Sequence, residues 1–173
     1  MTKTNILRRC TAGLLALQLL GLVILYPMAP SEIPIHLSVD GTVDTSQKTP
    51  ITWGFLWAVE VVVVLVLQSL TSWLARPDVW AHFEAHKYQH LPLEDQEYLR
   101  ENLKFVGTLA TFLMAVLLAA VNAAFALAAI RRTVIGHEVG MMAVSGAVVS
   151  AIVVSIAATV PAVRRLRAAK PTR

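Results

Sequence analysis

Residues 51–74 read ITWGFLWAVEVVVVLVLQSLTSWL, 24 residues with one ionisable side chain, Glu60. A helix needs about 20 mostly apolar residues to cross a hydrocarbon core of about 30 Å, and this stretch supplies them. It is apolar on every side, unlike the one-sided pattern of a helix on a soluble domain. Three further stretches read the same way: about 11–26 (TAGLLALQLLGLVILY), about 105–130 and about 139–163. Of the 173 residues, 56% are hydrophobic and 15% charged, with mean hydropathy +0.62. Ordinary soluble domains are about 45–50% apolar and about 25% charged. The segments outside the four stretches are too short for an independent soluble domain of roughly 50 residues or more, which excludes a soluble two-domain enzyme.

The basic residues set an orientation. Lys3, Arg8 and Arg9 precede the first span, Arg76, Lys87, Arg100 and Lys104 follow the second, and Arg164, Arg165, Arg167, Lys170 and Arg173 follow the fourth. Only Lys48, Arg131 and Arg132 fall on the other side. Cytoplasmic loops carry the excess of Lys and Arg, so both termini are expected in the cytoplasm. The net charge of +4 is then a topology signal beside anionic headgroups, and no nucleic-acid partner is expected. The flank YPMAPSE has no A-x-A cleavage site, so the first span reads as an uncleaved anchor. Cys10 is the lone cysteine, which excludes an intramolecular disulfide and any CxxC motif. Tyr26, Trp53, Trp57 and Trp73 sit at span ends, where aromatic rings prefer the interface. Ala120, Ala124 and Ala128 in span 3, and Ala143, Ala147, Ala151 and Ser155 in span 4, recur every four residues. Small faces of this kind let helices approach closely, so spans 3 and 4 are expected to pair through the turn RRTVIGHE. The expected fold is an all-α integral membrane domain over residues 1–173. Four transmembrane helices carry a short extracytoplasmic cap in loop 27–50 and a short amphipathic helix in cytoplasmic loop 75–104.

The cap has its own pattern. Ile35, Leu37 and Val39 alternate with His36 and Ser38, the period of a strand. Asp40-Gly41 supplies a tight-turn dipeptide, and a second strand over 42–45 could follow. Pro27, Pro30, Pro34 and Pro50 oppose a continuous helix. The spacing P-x-x-I-P-x-H-x(4)-G-x-x-D-x(3)-K is filled by Pro30, Ile33, Pro34, His36, Gly41, Asp44 and Lys48. It resembles the extracytoplasmic signature of the SdpI-like family of bacterial inner-membrane proteins, which includes a toxin-immunity member. The likeness covers roughly residues 20–70. It implies a bacterial cell-membrane protein, non-enzymatic, acting in immunity or envelope signalling. Pro34, His36, Gly41, Asp44 and Lys48 would form an outer recognition loop for an extracellular peptide or toxin, with a cytoplasmic regulator as second partner. The chain departs from the immunity member in having four spans rather than more, and in carrying Leu37 where an aromatic residue often follows the histidine.

Polar residues inside the spans give a second site. Glu60 lies roughly 13 Å along its helix from the loop-27–50 end, and Gln18 and Asn122 roughly 12 Å along theirs. Three polar side chains on three helices therefore fall in one layer, which Ser145 and Ser150 of span 4 bracket. Interhelical hydrogen bonding accounts for Gln18 and Asn122. A mid-membrane carboxyl is expensive, on the order of +2.5 to +3.5 kcal/mol on insertion scales, and a neutral residue would serve as glue at less cost. Glu60 is therefore expected to face Gln18 or Asn122. The alternative function is a small transporter, or an ion- or proton-coupled protein, using this layer.

A third reading is an outer-face metal-dependent enzyme. His36, Asp44, His137 and Glu138 share one side of the expected topology and are of zinc-ligand type, although no HExxH helix joins them. No cofactor is otherwise expected. His82, His86 and His90 form a helix stripe at i, i+4 spacing that reads as a surface at headgroup level. Glu94, Asp95 and Glu97 suit the start of the helix leading into span 3, where negative charge favours the dipole. There is no G-x-S-x-G elbow and no P-loop. A homo-oligomer remains open.

Overall fold

The structure, a computed structural model, describes residues 2–37, 43–79 and 92–131. Three helices account for most of them: α1 (Lys3–Leu25), α2 (Pro50–Leu74) and α3 (Leu93–Arg131). All three are long and apolar enough to cross a membrane. Expected span 4 (139–163), the stripe His82, His86 and His90, and the turn Asp40-Gly41 lie outside the described residues.

Each helix begins where local chemistry lets it. Thr2 caps α1 by accepting a hydrogen bond from the Asn5 backbone N–H at 3.3 Å. At α2, Thr49 Oγ1 accepts from Thr52 N at 3.1 Å while Thr52 Oγ1 accepts from Thr49 N at 2.9 Å. That reciprocal pair satisfies two orphan donors, and Pro50 in the first turn presets φ without needing one. α3 runs unbroken for 39 residues, about 58 Å at the usual rise, so its acidic first turn with Glu94 and Asp95 belongs to the same rod as the apolar span.

A 3-10 turn (Tyr26–Met28) leads from α1 into β1 (Glu32–Leu37), which pairs antiparallel with β2 (Val43–Gln47). The strands sit closer to the helices than the alternation at 35–39 suggests. The ladder starts at the helix ends, where Lys48 N donates to Ser31 O at 2.8 Å. The register slips between Pro34 and His36, as expected beside a residue with no N–H to give. Ile33 is 2% exposed, pinning the hairpin to the bundle.

α3 packs along both α1 and α2, which touch each other more sparingly. The contacting residues follow a 3-4 spacing, the spacing that keeps one seam facing its neighbours. On α2 the seam is Trp53, Trp57, Glu60 and Val64; on α3 it includes Thr108, Thr111, Ala115, Asn122, Ala126 and Ala129. Ala120 and Ala124, expected to face span 4, point away from this seam and are exposed. Away from the hairpin, small residues bring α2 and α3 together at Gly107 and Thr71, and Arg8 Nη2 reaches Ser72 Oγ at 2.8 Å to join α1 to α2.

Lys48 has a definite employment. Its ammonium donates to Ala29 O at 2.7 Å and Tyr26 O at 3.3 Å, and lies 5.0 Å from the Tyr26 ring centre. It thus bridges two carbonyls at either end of the 3-10 turn, with Tyr26 O also accepting from Ala29 N at 3.2 Å, and adds a cation–π contribution. Replacing it by methionine keeps the stem and removes the charge. A loss of about 2 kcal/mol is expected, since hydrogen bonds to charged groups are worth about 1.5–3 kcal/mol when well formed. Thermal unfolding of the detergent-solubilised protein measures it; an unchanged midpoint would mean that the latch holds nothing.

Candidate functional site

The three polar groups of the expected layer meet. Gln18 Nε2 donates to Glu60 Oε1 at 2.8 Å, and Asn122 Nδ2 donates to Glu60 Oε2 at 2.7 Å. Asn122 Nδ2 also donates to Gln18 Oε1 at 3.2 Å, which closes a three-membered ring of side chains, one from each helix. Glu60 is 1% exposed and Asn122 9%. Both carboxyl oxygens accept an amide hydrogen, so the group that is hardest to bury is the one with its acceptors filled. Amide groups also suit a site that changes state, because turning one about its last torsion exchanges a donor for an acceptor.

Above this ring, toward the hairpin, lies a cavity of about 330 Å³. Asn122 is part of its wall, with Trp53 and Trp57 from α2, Phe125 and Ala126 from α3, and Ile33 from β1. Its volume falls at the small end of the range for ligand pockets, roughly 300–1,000 Å³. The seam positions explain the placement. Trp53 and Trp57 lie seven and three residues before Glu60, so all three fall on one face of α2.

The contacts of three side chains were not foreseen in the sequence. The indole of Trp53 donates to Leu22 O at 2.9 Å and that of Trp57 to Leu15 O at 3.1 Å, both on α1. These tryptophans tie helix to helix; Trp53 also packs edge-on to Tyr26, with ring centres 6.5 Å apart. The signal available was the i, i+4, i+7 spacing of Trp53, Trp57 and Glu60, which a reading of aromatic rings as interface anchors passes over. Lys48 is the other case: its partners are the backbone carbonyls of Tyr26 and Ala29.

The outer-loop residues divide. His36 and Asp44 are opposite each other in the hairpin register, and Pro34 flanks the slip. Gly41, His137 and Glu138 lie outside the described residues. Among the described residues no group of three or more His, Cys, Asp and Glu side chains converges to hold a metal ion. No protein-family model, curated protein or solved structure matches the chain.

Proposed function

We propose that the chain is a multi-pass protein of the bacterial cytoplasmic membrane that works through the Glu60 ring, as a small proton- or ion-coupled protein. The observation that carries this reading is a single carboxyl, 1% exposed, held by amides from two other apolar helices. Intramembrane carboxyls of this kind mark ion and proton pathways, because lipid-facing charge is too costly to keep for packing alone. The ring can hold a carboxylate through amide N–H groups, or a protonated acid or a carboxylate with a small cation through amide oxygens. Residues 139–163 supply a fourth span, both termini are cytoplasmic, and the hairpin faces outward, on the twelve-to-three division of basic residues.

A second reading is supported by the loop signature: SdpI-like immunity or envelope signalling. An extracellular peptide or toxin would meet the hairpin, and a cytoplasmic regulator the other face. Ile33 and Lys48 attach the hairpin to the bundle, so a partner there would pull on the ends of α1 and α2.

The test pairs Glu60→Gln with His36→Ala in proteoliposomes carrying an internal pH dye and in a strain lacking the chain. Glu60→Gln is expected to lower cation- or proton-coupled flux at least tenfold, with His36→Ala near wild type. If Glu60→Gln keeps full flux and His36→Ala alone restores no tolerance to secreted peptides, the second reading replaces the first.

A further inference from the structure

The cavity above Asn122 has a chemistry of its own. Among the described residues none in its wall is ionisable, so a charged occupant would lose its hydration with no opposite charge in that wall to meet. Four aromatic side chains (Trp53, Phe55, Trp57 and Phe125) form much of the wall, which favours a compact apolar body.

The polar groups bordering the cavity are mostly committed. The indole N–H of Trp53 and that of Trp57 are bound to Leu22 O and Leu15 O. Thr52 Oγ1 lies within 3.1 Å of Thr49 N, Gln47 O and Thr49 O. Asn122 gives its amide nitrogen to Glu60 and Gln18, and an asparagine has two amide hydrogens. What it can offer a guest is Oδ1, an acceptor. An occupant that fits must therefore bring a donor.

We infer that this cavity binds an uncharged lipophilic molecule bearing one hydroxyl, which donates to Asn122 Oδ1 while its apolar body lies between Trp53, Trp57 and Phe125. The inference rests on reading the Glu60 ring as the working centre, and it names what reaches that centre from the hairpin side. A guest hydroxyl on Asn122 touches a residue that also holds Glu60 and Gln18, so occupancy reports directly to the ring. A bare acyl chain could fill the same apolar volume but would leave Oδ1 without a partner, and an unmet buried acceptor costs a hydrogen bond.

The probe is an octanol carrying a diazirine, irradiated with the full-length protein in lipid nanodiscs, with its O-methyl ether as the matched compound lacking the donor. Adducts are mapped by mass spectrometry. The expected result is labelling within 51–57 and 125–129 that excess 1-octanol abolishes, at least fivefold stronger for the alcohol than for the ether. Ala126→Leu, which adds bulk to the wall, should reduce labelling at least fivefold; Ala129→Val serves if that variant fails to fold. Equal labelling by alcohol and ether would overturn the hydroxyl requirement and mark the space as one for acyl chains. Adducts confined to lipid-facing residues such as Val62 and Val66, or labelling unchanged in both wall variants, would overturn the site itself. Labelling by this route needs no flux, so wild-type protein that binds the alcohol yet carries no coupled flux separates this inference from the proposed function.

Discussion

Replacing Glu60 by leucine should cost about 2–4 kcal/mol of stability, whereas replacing it by glutamine should cost little, although both remove the carboxyl. The difference follows from donor counting. Leucine fills similar space but removes the acceptor that the Gln18 amide and one Asn122 N–H now reach at 2.8 and 2.7 Å, while Asn122 keeps its bond to Gln18 Oε1. An unsatisfied buried polar group costs about 1–3 kcal/mol, and here one amide would be unmet and a second half-met. Interhelical hydrogen bonds in membranes average only about 0.6 kcal/mol in coupling, so most of the expected loss comes from the unmet donors and not from the lost attraction. Glutamine can instead enter a ring of three amides in which each donates to the next, after rotation of its neighbours. Equilibrium unfolding in mixed micelles measures both variants. If glutamine destabilises as much as leucine, the amides do not turn, and the ring is fixed in one state.

The second large effect belongs to Gly107. A methyl group there would lie 2.6 Å from Thr71 Oγ1 and 3.1 Å from Thr71 Cβ. Rotating Thr71 could move its hydroxyl and methyl aside, but its Cβ is fixed to the backbone of α2. Relief must then come from separating α2 and α3, and overpacking of this kind costs about 1–3 kcal/mol. Gly107→Ala is expected to lose that amount, and Gly107→Leu more. Thr71→Ala removes the two nearest atoms, so the double variant Gly107→Ala/Thr71→Ala should regain at least about 1 kcal/mol over the sum of its parts. Strict additivity would show that the helices do not meet there.

These two positions also show what the sequence made legible. The three spans and the depth of Gln18, Glu60 and Asn122 were readable because helix rise is uniform and every span crosses the same slab. Equal depth on neighbouring helices is nearly contact. The rotation of each helix was less legible. α3 has small residues on several sides, and spacing alone could not say that Thr108, Thr111, Ala115, Ala126 and Ala129 turn inward while Ala120 and Ala124 turn out. The every-four alanine pattern marks the side of that helix turned away from α1 and α2, and its expected partner, span 4, lies outside the described residues. Gly107 carried no periodic signal at all; its value depends on Thr71, 36 positions earlier in the chain. Lys48 and the two tryptophans share a cause: their partners are backbone carbonyls, which look the same at every position of a sequence.

The ties between α1 and α2 have an order in time. Arg8 to Ser72, Gln18 to Glu60, the two indoles onto Leu15 and Leu22, and the Lys48 latch all join residues synthesised before position 75. Asn122 is the late arrival. A nascent chain emerging from the ribosome can thus zip its first two spans into a closed clasp, with one carboxyl oxygen of Glu60 left waiting for the third.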